Sequence, residues 1–345
     1  MQNLEKKGFN NKKYFRAQLK AIKKRTAKFD RIYLEIGGRL TYDGHAARVL
    51  PGYNPKNKIE LLKILKNEIE VLYCISAKEL QKGTTWSNTK LTLDKLAIKE
   101  IKELESKGIK VHGVIATRFH GEKKVMEFKK ELEENGLNLY TTYNIEGYPY
   151  DIRNIFSRYG FNAQPYIPTT RKIVIVTGAG ANSGKMFVCL SQIYHEDKRG
   201  LDSGFAKWET FPIWNLPLNH EINIAYEAAT ADIKDKILID PFHKKKYRIN
   251  AVNYNRDIEN FVILKKIITR IAKPHNFMHN YNSPTDMGLN MAKKGITNDK
   301  VCKTAGREEI KRRNEFYKKQ LKGNTRKETL KRMEEIYKTA KIKPQ

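Results

Sequence analysis

Two hydrophobic rhythms alternate between residues 31 and 145. Short, nearly continuous apolar runs, "RIYLEIGG", "IEVLYCISA", "IKVHGVIATR" and "LNLYTTYNI", read as strands. Between them, "NKIELLKILKNE", "TKLTLDKLAIKEIKELESKG" and "EKKVMEFKKELEENG" carry apolar residues at helical spacing, the last two stopped by Gly108 and Gly136. Lys12 to Lys28 has the same spacing. Helices of this length between apolar strands predict parallel strands joined by right-handed crossovers. The fold class is therefore α/β, with doubly wound, mostly parallel sheet units. In such sheets ligands sit outside the carboxyl ends of the strands.

The rhythm breaks at 147–170, "GYPYDIRNIFSRYGFNAQPYIPTT", which is rich in Tyr, Pro and Asn. A second α/β unit starts at Lys172 with "KIVIVTGAGANSGKM" and continues through "GFAKWETF", "EINIAYEAATAD" and "ILIDPFH". From Arg256 onward the pattern is mainly helical, with two last helices near Asp299 to Leu321 and Lys327 to Ala340. Three regions follow: an N-terminal α/β domain over 1–150, a second α/β unit over 151–255, and a mainly helical region over 256–345.

The stretch "VTGAGANSGKM" follows an apolar strand and precedes an apolar helix, the context a phosphate-binding loop requires. It departs from G-x-x-x-x-G-K-[ST] twice. Ala179 stands at the first glycine, and Met186 replaces the hydroxyl residue that would ligate Mg²⁺. Gly178 and Gly180 open backbone conformations closed to other residues, and Ser183 is expected to cap the helix. Successive N–H groups at a helix start attract anions, and Lys185 after Gly184 adds a charge. The expected phosphate-binding set is Gly178, Gly180, Ser183, Gly184 and Lys185. The alternative is a glycine turn that packs helix against strand.

Other candidates lie at predicted strand ends. "LEIGGRLTYDGHAARVLPGY" offers Glu35, Gly37, Gly38, His45 and Arg48, and an arginine there suits a carboxylate or phosphate. Glu209, expected on a strand neighbouring the loop, or Asp232 is a stand-in for the missing metal ligand. "DPFHKKKYRINAVNYNRD" adds Asp240, His243, Asn255 and Arg256 to the candidate cleft, while Asp257 suits a helix dipole. His275 and His279 are four apart, but Pro274 and the surrounding asparagines point to a loop rather than a metal pair. No metal site is assigned. The sequence has no G-x-S-x-G elbow, no H-E-x-x-H and no G-x-G-x-x-G fingerprint.

Composition adds limits. The chain has 345 residues and a net charge of +29. That surplus favours polyanions through counterion release. The lysines are scattered along most helices, so RNA is an alternative partner rather than the favoured one. No apolar run approaches the roughly 18 residues of a membrane span, and "MQNLEKKGFNNKKYF" lacks a signal-peptide core. A soluble, cytoplasmic protein without a membrane partner is expected. Cys74, Cys189 and Cys302 are far apart and read as reduced thiols.

Several strings resemble one bacterial family: "YLEIGGRLTYDGHAARVLPGY", "GYPYDIRNI", "GKMFVCLSQIYHEDKRG", "KWETFPIWNLPLNHEINIAYEAATAD", "IDPFH", "VNYNRDIE" and "SPTDMGLNM". They are similar to domain of unknown function 1846, also called uncharacterised protein family 0371, from about Lys7 to about Tyr317. The resemblance implies an α/β N-terminal part, a helical insert and a further C-terminal α/β subdomain, which this chain is expected to lack. This chain departs from the family at Ala179, Ala181 and Asn182, where members usually read proline and glycine, so its loop is expected to be floppier while Ser183, Gly184 and Lys185 persist. The expected ligand is a phosphorylated small molecule or nucleotide, with Mg²⁺ an open question. Phosphoryl transfer or hydrolysis and binding without turnover both stay open, with polyanion binding as the third reading.

Overall fold

The structure is a computed structural model and describes residues 7–85, 90–180 and 182–342. It is a mixed α/β fold built on a seven-stranded parallel sheet. The strands are β1 (Arg31–Ile36), β2 (Ile69–Ser76), β3 (Val111–Thr117), β4 (Leu139–Thr141), β5 (Ile173–Gly178), β6 (Ser203–Trp208) and β9 (Gly288–Leu289). Two further strands, β7 (Ile237–Ile239) and β8 (Val252–Tyr254), pair antiparallel apart from the sheet. All eight residues of β2 are buried and all six of β5, as continuous apolar runs in a sheet covered on both faces require. The fourth apolar run, "LNLYTTYNI", yields only the three paired residues of β4, because it lies at the sheet edge with one neighbour.

Strand order carries the functional information. Across the sheet it runs β4-β3-β2-β5-β1-β6-β9. The chain therefore leaves β1 in one direction to reach β2, passing the position of β5. It leaves β5 in the other direction to reach β6, passing β1. Connections from two adjacent strands that diverge in this way open a crevice at their carboxyl ends. β5, from the 151–255 segment, lies between β1 and β2 of the 1–150 segment, so the two segments share this sheet. β6 pairs with β1 and not with β5. Glu209 therefore follows a strand one removed from the glycine loop, not a neighbour of it.

One continuous apolar core runs from Phe9 to Ala340, with a small satellite of Ile237, Val252 and Tyr254. The helix Asp299–Gln320 lies against both Glu221–Ala229 and Gly44–Val49. This packing brings side chains more than 250 positions apart in sequence to the carboxyl edge of β1 and β6.

Candidate functional site

At the end of β5 the backbone turns tightly into the helix Lys185–Asp197. A Cβ on Gly178 would stand 2.3 Å from the carbonyl oxygen of Cys74 and 2.7 Å from Ser183 Oγ, so only glycine fits. The Gly180 N–H donates to Gly178 O at 2.9 Å and is engaged inside the turn. The helix N-cap is Gly184, in the left-handed region at φ +81°, with no side-chain cap. Ser183 thus does not cap the helix as expected. Its hydroxyl is turned inward against Gly178, with Lys185 Nζ 3.5 Å away. Ala181, the middle of the expected loop, lies outside the described residues.

Side chains at the end of β3 hold the turn from outside. Thr117 Oγ1 donates to Ser183 O at 3.0 Å, and the Arg118 guanidinium donates to Asn182 O. Two cations, Lys185 and Arg118, therefore accompany the N-terminal end of a 13-residue helix. Arg118 carries no mark of this role in the sequence, since nothing in its position hints that it meets residue 182. Cys74 and Cys189 lie beneath the turn. Burial pushes the Cys74 thiol up to about 12 against the pull of Lys185, and burial likewise raises Cys189 well above its usual value. Both are inert at neutral pH.

Glu35 joins this region to the next. It sits at the end of β1 in register with Val176 of β5 and Lys207 of β6. Its Oε2 is buried and lacks a hydrogen-bond partner among the described residues. Its charge acts on Cys74, Cys189, Tyr148, Lys207 and Glu209. Lys207 Nζ in turn lies 2.6 Å from Asp257 Oδ2 and 3.4 Å from Glu209 Oε1. Burial disfavours the Lys207 charge, but the carboxylates of Asp257, Glu209 and Glu35 outweigh it and raise its pKa. Glu209 is pushed to about 7, first by burial and then by Asp257 and Glu35, with Lys207 opposing.

Beyond Glu209, over β1 and β6, opens a cavity of about 250 Å³. Its floor is the Gly37–Gly38 turn. A Cβ on Gly37 would meet Glu209 Cγ at 2.5 Å. The buried Lys58 ammonium fixes the turn, donating to Gly37 O at 2.8 Å and Arg39 O at 3.2 Å and pairing with Asp43 at 3.0 Å. Asp43 caps the helix Gly44–Val49 through the N–H of Ala46, so the clamp also aims His45 and Arg48. The His45 ring is held edge-on by Phe211 and Tyr226, with centroids 5.2 and 5.1 Å away.

Glu309 of the Asp299–Gln320 helix anchors this wall. It meets His45 Nδ1 at 3.3 Å, Arg48 Nε at 2.9 Å, Arg312 Nε at 2.6 Å and Arg313 Nε at 3.0 Å. Burial works against the carboxylate, but hydrogen bonds from Arg312, His45 and Arg48 hold it far below the usual range. An ionised carboxylate only accepts, so His45 Nδ1 carries the proton and Nε2 is the bare acceptor. Burial also keeps the ring neutral by lowering its pKa.

Of the expected cleft residues, Gly37, Gly38, His45, Arg48 and Glu209 line this cavity. Glu35, at the end of β1, is outside its lining, and the remaining four lie elsewhere. Asp240 caps the helix Pro241–Tyr247 and binds Thr285 Oγ1 at 2.7 Å. His243 bonds Ser283 Oγ at 3.0 Å. Asn255 ties to the Lys236 N–H, and Arg256 pairs with Asp235 at 2.7 Å. Each has its hydrogen bonds inside the β7–β8 neighbourhood, which accounts for polar residues there without a ligand. Asp232 accepts from the Tyr317 hydroxyl rather than standing in at the loop. Asp257 is a partner of Lys207 more than of its helix dipole. Among the described residues, no group of three or more His, Cys, Asp or Glu side chains is placed to hold a metal, and no helix is long and apolar enough to cross a membrane.

Comparison with known proteins matches residues 7–341 to the family described as "Domain of unknown function DUF1846, N-terminal". Relatives include UPF0371 proteins of Fusobacterium nucleatum (45% identical over 332 residues), Clostridioides difficile (43% over 343) and Clostridium tetani (44% over 328). These alignments take in 95%, 99% and 94% of this chain but 65%, 68% and 64% of the relatives, so the chain spans about two thirds of their length. The chain belongs to this family.

Proposed function

We propose that this DUF1846 chain binds a phosphorylated small molecule or nucleotide at the carboxyl edge of β5 and β1, with the phosphate against the Gly178–Lys185 loop. One observation carries the reading. The connections from β5 and β1 diverge, and a glycine turn with Lys185 opens a 13-residue helix at that point. Lys185 and Arg118 supply charge, and the first-turn N–H groups of the helix supply donors. Glu35, with its unpartnered Oε2, is the acceptor beside them for a ligand hydroxyl or amine. Neighbouring strands are about 4.8 Å apart. A ligand of nucleotide size therefore reaches from the loop after β5 across β1 toward Glu209.

The chemistry this supports is capture and charge neutralisation of a phosphate. Met186 supplies no hydroxyl for Mg²⁺, which favours binding without turnover. Phosphoryl transfer, which rests on positioning and charge, is the narrower reading. A thermal-shift screen of nucleotides and sugar phosphates, with and without Mg²⁺, separates these on wild type and Lys185→Ala. A ligand at 100 times its Kd adds about 2.7 kcal/mol of stability. The expected result is a shift that the variant loses. A shift with RNA that survives in the variant and collapses with salt points instead to polyanion binding by the lysine-rich surface. No shift with any compound leaves the loop as a packing turn.

A further inference from the structure

We infer that the 250 Å³ cavity over β1 and β6 is a separate site for a small anion bearing a hydroxyl beside its charged head, a hydroxycarboxylate or a phosphate. This site stands apart from the glycine loop, and charge is its first mark. Arg48, Arg312 and Arg313 converge on the single carboxylate of Glu309, so three guanidinium groups face one negative charge. Lys58 is matched by Asp43 and leaves the surplus intact. Glu209 also lines the cavity and, raised to about 7, carries at most one negative charge, so a positive surplus remains to attract an anion.

The geometry says how the anion would be held. Arg48 and Arg313 both line the cavity, and each bonds Glu309 through Nε. Their terminal nitrogens have no hydrogen-bond partner among the described residues. Glu309 thus orients two forks whose free ends suit a carboxylate or phosphate. His45, one helical turn before Arg48, shares the Glu309 carboxylate with both arginines. Its Nδ1 donates to Glu309, and its Nε2 is buried with no partner among the described residues. A bare buried acceptor costs about 1–3 kcal/mol, which a hydroxyl donor on the ligand relieves. The His45 ring is fixed by Phe211 and Tyr226, so the acceptor is held in place before the ligand arrives. The volume lies below the roughly 300–1,000 Å³ that holds drug-sized ligands, so the occupant is compact.

The test follows the His45 ring by nitrogen-15 NMR while glycerate, propionate or inorganic phosphate is titrated into the full chain. Glycerate and propionate share a carboxylate, and only glycerate carries hydroxyls. Glycerate or phosphate is expected to shift the Nε2 resonance toward a hydrogen-bonded position, with propionate at least tenfold weaker. The tighter of the two names the head group. Arg313→Met and Arg48→Met should each weaken binding tenfold or more. His45→Asn keeps a donor to Glu309 where Nδ1 stood and removes Nε2. It should bind glycerate and propionate equally, read from the Gly37 and Gly38 amides. Lys185→Ala should leave the His45 response unchanged. The inference is overturned if neither anion moves His45, if both arginine variants bind like wild type, or if Lys185→Ala abolishes the response.

Discussion

The turn after β5 and the cavity over β1 and β6 both present positive charge at one sheet edge, yet they are built in opposite ways. The turn is a backbone device. Residues 178–185 are contiguous, and its shape depends on glycine where a Cβ would strike Cys74 O. The cavity is a side-chain device. His45 and Glu309 are 264 positions apart and meet only because the Asp299–Gln320 helix packs on Gly44–Val49. The difference teaches where each is vulnerable. A backbone site fails when the chain cannot turn, and a side-chain site fails when one charge loses its partners.

Breaking the cavity at its anchor gives the largest effect. Glu309→Ala strands three arginines around a side chain that is 1% exposed. The arginines left behind are 39%, 43% and 19% exposed, so water takes up part of the loss, and the cost is about 2–3 kcal/mol, read by denaturant unfolding. The proposed ligand response of the turn after β5 should persist in the molecules that remain folded. Gly178→Ala breaks the other side of the comparison. Its Cβ would meet backbone of β2, and such overpacking costs about 1–3 kcal/mol, together with the ligand response of the turn.

Glu209 lies between the two regions and sharpens the contrast through pH. Its carboxyl is raised from 4.5 to about 7, so between those values the folded chain holds a proton that the unfolded chain has released. Stability from this group therefore falls as pH rises through that window and levels off above it. Glu209→Gln should match wild type near pH 4.5 and exceed it at pH 8 by on the order of 1–2 kcal/mol, in melts across that range. Lys185→Ala is the smallest stability change, within about 0.5 kcal/mol. It separates binding from folding in a way that Gly178→Ala does not.

The strands β1, β2, β3 and β5 were legible because apolar runs in a covered parallel sheet leave a direct trace in sequence. The order of the strands was not, since nothing in "KIVIVTG" says that it inserts between β1 and β2. Among the residues around the cavity, Gly37, Gly38, His45, Arg48 and Glu209 could be named because they follow strand ends. Glu309 could not. It sits in "REEIKRR", where one carboxylate among many surface charges carries no mark of burial. Lys207 left a weak signal, a lysine inside the buried strand "SGFAKW", two positions from Glu209. Asp240 misled for the same reason that it folds well. A cap aspartate before Pro241 looks like a ligand until its acceptors are seen to be filled.

The most direct test of the central claim is a calorimetric titration of inorganic pyrophosphate into wild type, Lys185→Ala and Arg313→Met. The account predicts binding to wild type, at least a tenfold loss in Lys185→Ala, and an affinity within about twofold of wild type in Arg313→Met. Pyrophosphate binding that survives Lys185→Ala intact, and still survives when Arg313→Met is added to disable the cavity, would contradict the assignment of the turn as a phosphate site.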